Sequence, residues 1–477
     1  MEEFSNKGSD PRFPSFLKYN RSVLRRIFIY IALVLAATST ARADATTVLV
    51  FPFENLSSDR TLDWIGEGIA ELIIERFQAE PAIYVFSREE RLAAYEKVGI
   101  PETTMVSRAT SLKLGWDTGA DTIIAGRFSR TGDSFEIVAR VTDLELAGSA
   151  DEVKVSGKLE DVISLTGSLS AQILGKPEAG TVQPATPRSA FENYIRGILN
   201  PDPQKRIELL QTAVRLYPQY GAALFQLGRA YHLERNFKVS NQSLDKIPQG
   251  SPYRQQAQFT AALNYFYLGD YNRALTALQA LPANYDVLLD MGAAQSQKGD
   301  YAGAMTKWKS ATEIDPLGSD AFFNMGYASF VRGEFDAAIR NLNESLKLRG
   351  RDSEALFLLG RAYEHQGRLD ESQKLIAQAT RLSQRVERWL TQPLPKLERV
   401  STSTVFRNGL EIWTANRLAR RARGQDLSVW LDAIQTAIDS NLYGEAVREL
   451  QEVIRVFPDS TEARSLLDEV NRRRNSR

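Results

Sequence analysis

The chain has 477 residues, no cysteine, and only two histidines, His232 and His365. The first absence excludes disulfides, thiolate metal sites, cysteine nucleophiles and a mature N-terminus held by a lipidated cysteine. The second leaves little for acid–base or metal chemistry. The two histidines stand 133 positions apart with no acidic neighbour at ligand spacing, so neither a metal nor a cofactor is expected. An excess of one charge is missing too. Lys and Arg total 59, as do Asp and Glu, so no global field draws the chain to nucleic acid. No H-E-x-x-H, G-x-S-x-G, phosphate-loop or EF-hand pattern occurs, and the expectation is a protein that is not an enzyme. What remains is the ordinary balance of a globular protein, 43% apolar and 25% charged. The length predicts roughly two to four domains.

Residues 1–43 have the pattern of an export signal with a long n-region. Arg21, Arg25 and Arg26 precede an eleven-residue apolar run over 27–37, and Ala41-Arg42-Ala43 supplies a small-x-small cleavage pattern. The run is shorter than the roughly 20 residues a membrane-spanning helix needs. Cleavage near Ala43 is therefore expected, giving a periplasmic or secreted protein with no transmembrane helix in the mature form. It takes seven of the 59 basic and three of the 59 acidic residues away, leaving a net charge of −4. Retention of the segment as an anchor is the alternative.

Residues 44–175 alternate strand and helix signals. TTVLVFPF at 46–53 is an apolar, β-branched run that turn-type Glu54-Asn55 should stop. From Leu62 the apolar residues Ile65, Ile69, Leu72, Ile73 and Phe77 recur at helical steps. A short strand follows over 82–86, and Ser87 with Glu90 forms a capping box that opens another helix. A further helix is expected over 107–116. Strands are expected over 122–128, over 135–142 with alternating burial, and near 152–156, before a closing helix over 161–174. The order β-α-β-α-α-β-β-β-α implies a small mixed sheet with helices packed on it.

The stretches VLVFPFENLSSDRTLDWIGEGIAELIIERF, YVFSREERL, ADTIIAGRFSR and FEIVARVTDLE resemble the TolB-type N-terminal domain, an α/β module of envelope-associated and regulatory bacterial proteins. The resemblance covers about 130 residues and implies a fold and an interaction role, not a reaction. Gly66-Glu67-Gly68 looks like the start of a dinucleotide fingerprint. Its third glycine, however, would fall on Glu71, and the glycines lie inside the helix, where close helix–sheet packing explains them. Residues 176–187, KPEAGTVQPATP, hold three prolines among small polar residues and are expected to act as a semi-extended spacer.

Residues 188–382 repeat. Gly228, Ala262, Gly292, Gly326 and Gly360 are separated by 34, 30, 34 and 34 positions, and twelve residues beyond each lie Ser240, Ala274, Ala304, Ala338 and Ser372. Gly269, Gly299, Gly333 and Gly367 mark the turns between helices. This pattern resembles the tetratricopeptide repeat, about six units with a divergent first one around Tyr194. The small residues let the two helices of a pair approach within about 8–10 Å. Residues 383–426 break the period and are expected to be an irregular insertion or a decayed repeat, with a helix over 405–423. Residues 427–477 fit a last repeat-like unit ending in a basic tail. The fold expected is thus a small mixed-sheet α/β domain followed by an all-α repeat solenoid.

The resemblance to tetratricopeptide repeats implies that helix A of each pair lines a concave binding face. Its groove positions map to Phe225 and Arg229 in one unit, and to Phe259, Phe266 and Tyr267 in the next. They map to Phe323, Tyr327 and Phe330 two units on, and to Phe357 and Arg361 after that. So many rings suggest a peptide or helical partner with apolar anchors. Phe225 and Arg229 stand where chaperone-binding members carry Lys and Asn, so their carboxylate clamp is not present in its family form. The expected function is an exported scaffold that holds a protein partner in this groove while the TolB-like domain docks a cell-envelope component. The alternative is an anchored or cytoplasmic regulatory protein associated with a signalling enzyme.

Overall fold

A computed structural model of the chain describes residues 46–102, 104–144, 150–176, 186–401, 443–456 and 460–475, with four more between 431 and 438. The expected export signal, most of the proline-rich spacer and the helix expected over 405–423 lie outside the described residues.

In chain order the α/β part runs β1 (Thr46–Val50), β2 (Glu54–Asn55), α1 (Trp64–Gln78), β3 (Ile83–Val85), α2 (Arg88–Lys97) and α3 (Arg108–Thr118). It continues with β4 (Thr122–Thr131), β5 (Ser134–Asp143), β6 (Ala150–Gly157) and α4 (Val162–Ile173). The sheet order is β3-β1-β4-β5-β6. β1 is parallel to both neighbours, while β4, β5 and β6 are antiparallel, so the sheet is mixed as the element order implies. Both faces are covered, which is why Val48, Leu49 and Val50 of β1 form a continuous apolar run rather than alternating with polar residues. Val48 and Val50 join Ile65, Ile69 and Ile73 of α1 and Val162 and Leu169 of α4 in one core. Leu49 and Phe51 join Tyr95 of α2 and Leu114 of α3 in another.

Glu54-Asn55 is a difference from expectation. Instead of only ending the first strand, these two residues pair with Arg127 and Phe128 of β4. β4 extends past the end of β1, so its edge has backbone groups to satisfy, and β2 satisfies them. The capping box opens α2 as expected, with the Ser87 hydroxyl and the Glu90 carboxylate each taking a backbone N–H.

Six helix pairs follow between Arg188 and Leu382. They are α5 (Arg188–Leu199) with α6 (Pro203–Leu216), α7 (Gly221–Leu233) with α8 (Phe237–Leu244), and α9 (Arg254–Tyr267) with α10 (Tyr271–Gln279). Next come α11 (Tyr285–Gln297) with α12 (Tyr301–Ile314), α13 (Ser319–Val331) with α14 (Phe335–Leu348), and α15 (Ser353–His365) with α16 (Leu369–Leu382). The small anchor residues sit where the pairs touch. A Cβ on Gly292 would lie 2.4 Å from the Trp308 ring, and one on Gly326 would lie 2.7 Å from Leu342. Ala304 and Ala338 are fully buried. The turn glycines Gly269, Gly299, Gly333 and Gly367 all adopt positive φ, between 76° and 84°. Arg235 holds the equivalent place between α7 and α8 at φ 57°.

The α/β part and the first repeats share one core. α1 packs on α5, and the cluster that begins at Val48 and Ile69 continues through Phe191, Leu210, Phe225 and Ala257. Gly68, the third residue of the apparent fingerprint, receives the Phe191 ring, which a Cβ would meet at 2.8 Å. Gly66 lies under the Phe53 carbonyl, which a Cβ would meet at 2.1 Å. Both glycines serve packing and not a phosphate. Beyond α16, a short helix α17 (Gln384–Glu387) leads into residues 391–401, and the chain closes with α18 (Tyr443–Val456) and α19 (Thr461–Asn475). The last two share a core of their own with Leu431, Ile434 and Ile438.

Candidate functional site

The first helices of three successive pairs, α11, α13 and α15, hold an extended segment of the same chain. Leaving α17, the chain buries Val386 and seats Trp389 edge-on against Phe357, with ring centroids 5.5 Å apart. Residues 391–401 then run back along the helices with no regular secondary structure of their own. Leu394 and Leu397 join the buried cluster of Phe323, Tyr327 and Phe357, and Val400 packs on the cluster of Phe259, Leu263 and Met291.

The polar contacts are ordered along the segment. The Tyr327 hydroxyl donates to the Pro395 carbonyl at 3.4 Å, and Lys396 Nζ donates to Gln297 Oε1 at 2.6 Å. The Glu398 carboxylate accepts from Ser296 Oγ at 2.8 Å and from Gln297 Nε2 at 2.7 Å. Asn324 holds the backbone of Arg399 on both sides: Nδ2 donates to its carbonyl and Oδ1 accepts its N–H, each at 2.7 Å. A side-chain amide used this way gives an extended residue the pair of bonds a neighbouring strand would give. The Ser401 N–H donates to Asp290 Oδ1 at 2.7 Å.

Arg399 is the centre of the arrangement. Its guanidinium bonds both oxygens of Asp352, at 2.7 and 2.8 Å, and reaches Asp320 and Glu354 at 3.0 Å each. It lies 3.4 Å from the ring centroid of Phe323, whose face attracts a cation. Burial pushes the Asp352 carboxyl up, but Arg399 outweighs it and holds the group below its ordinary value. Burial likewise opposes the Arg399 charge, and the surrounding carboxylates more than restore it. Asp290 differs. Burial drives it well above the usual carboxylate range, against the Ser401 N–H and with repulsion from Asp286. Burial also pushes the Tyr327 phenol up to about 12.

The expected groove residues divide in two. Phe259, Phe323, Tyr327 and Phe357 lie in the clusters that receive residues 394–401. They do not form an open trough: Phe259 and Phe323 are fully buried, and Tyr327 and Phe357 nearly so. The cause is simple: rings left in water would forgo apolar burial that the chain's own Leu394, Leu397 and Val400 supply. The others are elsewhere. Phe225 stacks on Tyr253 in the core shared with the sheet, and Arg229 pairs with Glu89 of α2. Phe266 and Tyr267 pack against Tyr271 and Phe237, with Tyr267 44% exposed. Phe330 meets Phe335 and His365, and Arg361 pairs with Glu364 on the surface.

The histidines are structural. His232 Nδ1 lies 2.6 Å from Asn264 Oδ1, and His365 stacks on Phe335 at 4.4 Å. Among the described residues no acidic or histidine cluster could hold a metal, and no helix is long and apolar enough to cross a membrane.

Sequence reasoning passed over Asn324, Asp290, Asp320, Asp352, Glu354 and Arg399. One signal was available. The position six before the small anchor is Asp286, Asp320 and Glu354 in three successive units, a recurring acid on the groove side. Arg399 lay in the stretch read as an insertion, where no repeat register points to it.

Residues 323–384 and 256–285 match family models described as tetratricopeptide repeat, so the helix pairs there are tetratricopeptide repeats. No curated protein matches the chain in sequence. Among solved structures, it is similar to the MamA protein, at 19% identity and a TM-score of 0.30, over 36% of this chain and 96% of that one. It is also similar to YrrB, a TPR protein with an unusual peptide-binding site, at 15% identity and a TM-score of 0.30, over 37% and 94%. A tetratricopeptide repeat protein from Parabacteroides merdae is similar at 16% identity and a TM-score of 0.36, over 59% and 99%.

Proposed function

We propose that the protein is a non-enzymatic, exported interaction scaffold whose repeat groove holds an extended peptide. The observation that carries this reading is the Asn324 carboxamide bonded to both backbone groups of Arg399. Such a contact reads main chain, so the groove suits an extended strand of varied side chains better than a helix, whose backbone groups are already bonded internally. Acidic residues along the same face add selectivity for a basic side chain. The α/β part, if it is a TolB-like module, docks a component of the cell envelope. It does so as one body with the solenoid, since the two share a core, so both partners would be held at a fixed spacing.

Two experiments test the reading. N-terminal sequencing of the protein from its host gives a start near Asp44 if the chain is exported and cleaved. An intact N-terminus argues for an anchored or cytoplasmic protein. Affinity capture from an envelope fraction, with Leu397→Asp, which unseats the chain's own segment, beside Leu397→Asp carrying Asn324→Ala, should lose the groove partner in the second. Identical captured sets would remove the groove from the function.

A further inference from the structure

We propose that residues 394–401 are a built-in competitor for the groove. The partner they exclude is an extended segment of another protein presenting an aliphatic residue, an acid and an arginine in succession. The proposal rests on the groove reading above and names its partner and its regulation.

Three observations carry it. First, recognition is concentrated in a few residues: Leu397 is buried, Glu398 is held by Ser296 and Gln297, and Arg399 is held by four groups. Thr391, Gln392 and Pro393 just upstream are exposed. A partner therefore needs little more than a Leu-Glu-Arg-like core to match the contacts. Second, the segment's backbone bonds to the helices through the side chains of Asn324, Asp290 and Tyr327, and none of these bonds belongs to a helix or sheet ladder. It can leave without opening any helix or sheet ladder. Third, the vacated groove is unfavourable. Asp320, Asp352 and Glu354 converge on the place of one guanidinium; Arg349 and Arg385 still pair with Asp320 and Glu354, but Asp352 loses its bidentate partner and the like charges are left less compensated at short range. The arrangement favours exchange of one arginine for another over an empty groove.

The tether makes the competition strong. A segment joined to its site by a short chain acts at an effective concentration on the order of 1 mM. An external peptide of the same sequence with an intrinsic affinity of about 10 μM would then bind wild type about 100-fold more weakly than an opened groove.

The test is fluorescence anisotropy with a labelled peptide QPLPKLERVS, the sequence of residues 392–401. It is titrated against the purified full chain, wild type and Leu397→Asp. The substitution places a charge in the apolar seat of the segment and leaves the groove wall unchanged. The expected result is at least ~10-fold tighter binding to Leu397→Asp, cancelled when Asn324→Ala is added. A peptide with alanine in place of its arginine should not bind. Arg399→Lys, which keeps the charge but loses the bidentate bond to Asp352, should give the same order in a smaller step and serves if Leu397→Asp fails to fold. Equal binding to wild type and variant would overturn the competitor and leave the groove reading standing. No binding to a folded, helical Leu397→Asp protein would overturn both. A wild-type dimer that dissociates on Leu397→Asp would assign the exchanged segment to a second copy and overturn the proposed partner.

Discussion

The Asp352 carboxylate receives the Arg399 guanidinium on both oxygens, although 47 positions separate the two residues. The same carboxylate caps α15 by accepting the Ala355 N–H at 3.1 Å. One side chain thus starts a repeat helix and fastens the segment that crosses it.

Asp352→Asn separates these roles, since asparagine caps a helix as well as aspartate does but cannot carry the charge. The variant should lose about 1–2 kcal/mol, limited by the remaining pairs from Arg399 to Asp320 and Glu354. Because Arg399 depresses the folded-state value of Asp352, its contribution is present above the unfolded value of about 4. It is lost as pH falls through the lower folded value. Urea unfolding between pH 3 and pH 7 should show wild type losing its advantage over Asp352→Asn at the acidic end. A constant difference across that range would count against the pair.

The interface between sheet and solenoid has the opposite dependence. Burial, with repulsion from Glu67 and Glu89, raises Glu71 to about 7, against the hydrogen bond it accepts from Tyr194 at 2.8 Å. Burial raises Glu75 to about 7 as well. Between about pH 4.5 and 7 the folded state therefore binds more protons than the unfolded chain, and stability should fall as pH rises through that window. Glu71→Gln keeps an acceptor for the Tyr194 hydroxyl and removes the charge. Its unfolding midpoint should lie above that of wild type at pH 8, by an amount worth a few kcal/mol at most, and should vary less with pH. A wild-type midpoint that climbs from pH 5 to pH 8 would contradict this.

Arg235 offers a stabilising change. It stands at positive φ in a turn where Gly269, Gly299, Gly333 and Gly367 hold the equivalent places. A non-glycine residue there is strained by roughly 1 kcal/mol. Arg235→Gly should recover about that much, less the cation–π contact with Phe237 at 5.8 Å. Thermal unfolding measures it, and a lower midpoint would show that the Arg235 side chain matters more than its backbone.

Gly292→Ala tests the close approach within a repeat. The added methyl would lie 2.4 Å from Trp308, a fully buried ring whose Nε1 donates to the Leu289 carbonyl at 3.0 Å. The ring cannot retreat without breaking that bond, so a loss of about 1–3 kcal/mol is expected. Gly299→Ala is no neutral control, since φ is 84° there. Ala302→Gly, on the exposed surface of α12, should cost no more than about 1 kcal/mol. Equal losses for Gly292→Ala and Ala302→Gly would show that the approach is not tight.

Much of this architecture was legible in the chain. The 34-residue spacing of Gly292, Gly326 and Gly360 is a local consequence of helix pairing, and each glycine does meet a side chain of its partner helix. The strand over 135–142 and the capping box at Ser87 and Glu90 are equally local, although the expected alternation of burial fails past Ile137, where Val138 and Thr142 are buried and Val141 is only half-buried. The groove was legible only in part. Register alone put Phe323, Tyr327 and Phe357 on one side of their helices, yet nothing in register tells an open ring from a covered one.

What the sequence determined by itself is therefore whatever depends on neighbours a few residues away or one repeat away: helix faces, turns and small contact points. Three features were decided only when distant segments met. Gly68 took up the Phe191 ring, so that two expected domains became one core. The acids at 320, 352 and 354 converged on one guanidinium, and an irregular stretch became the occupant of the groove. The physical reason is the same in each case. Burial and ion pairing depend on distance in space, and for residues 45 or more positions apart the chain order does not fix that distance.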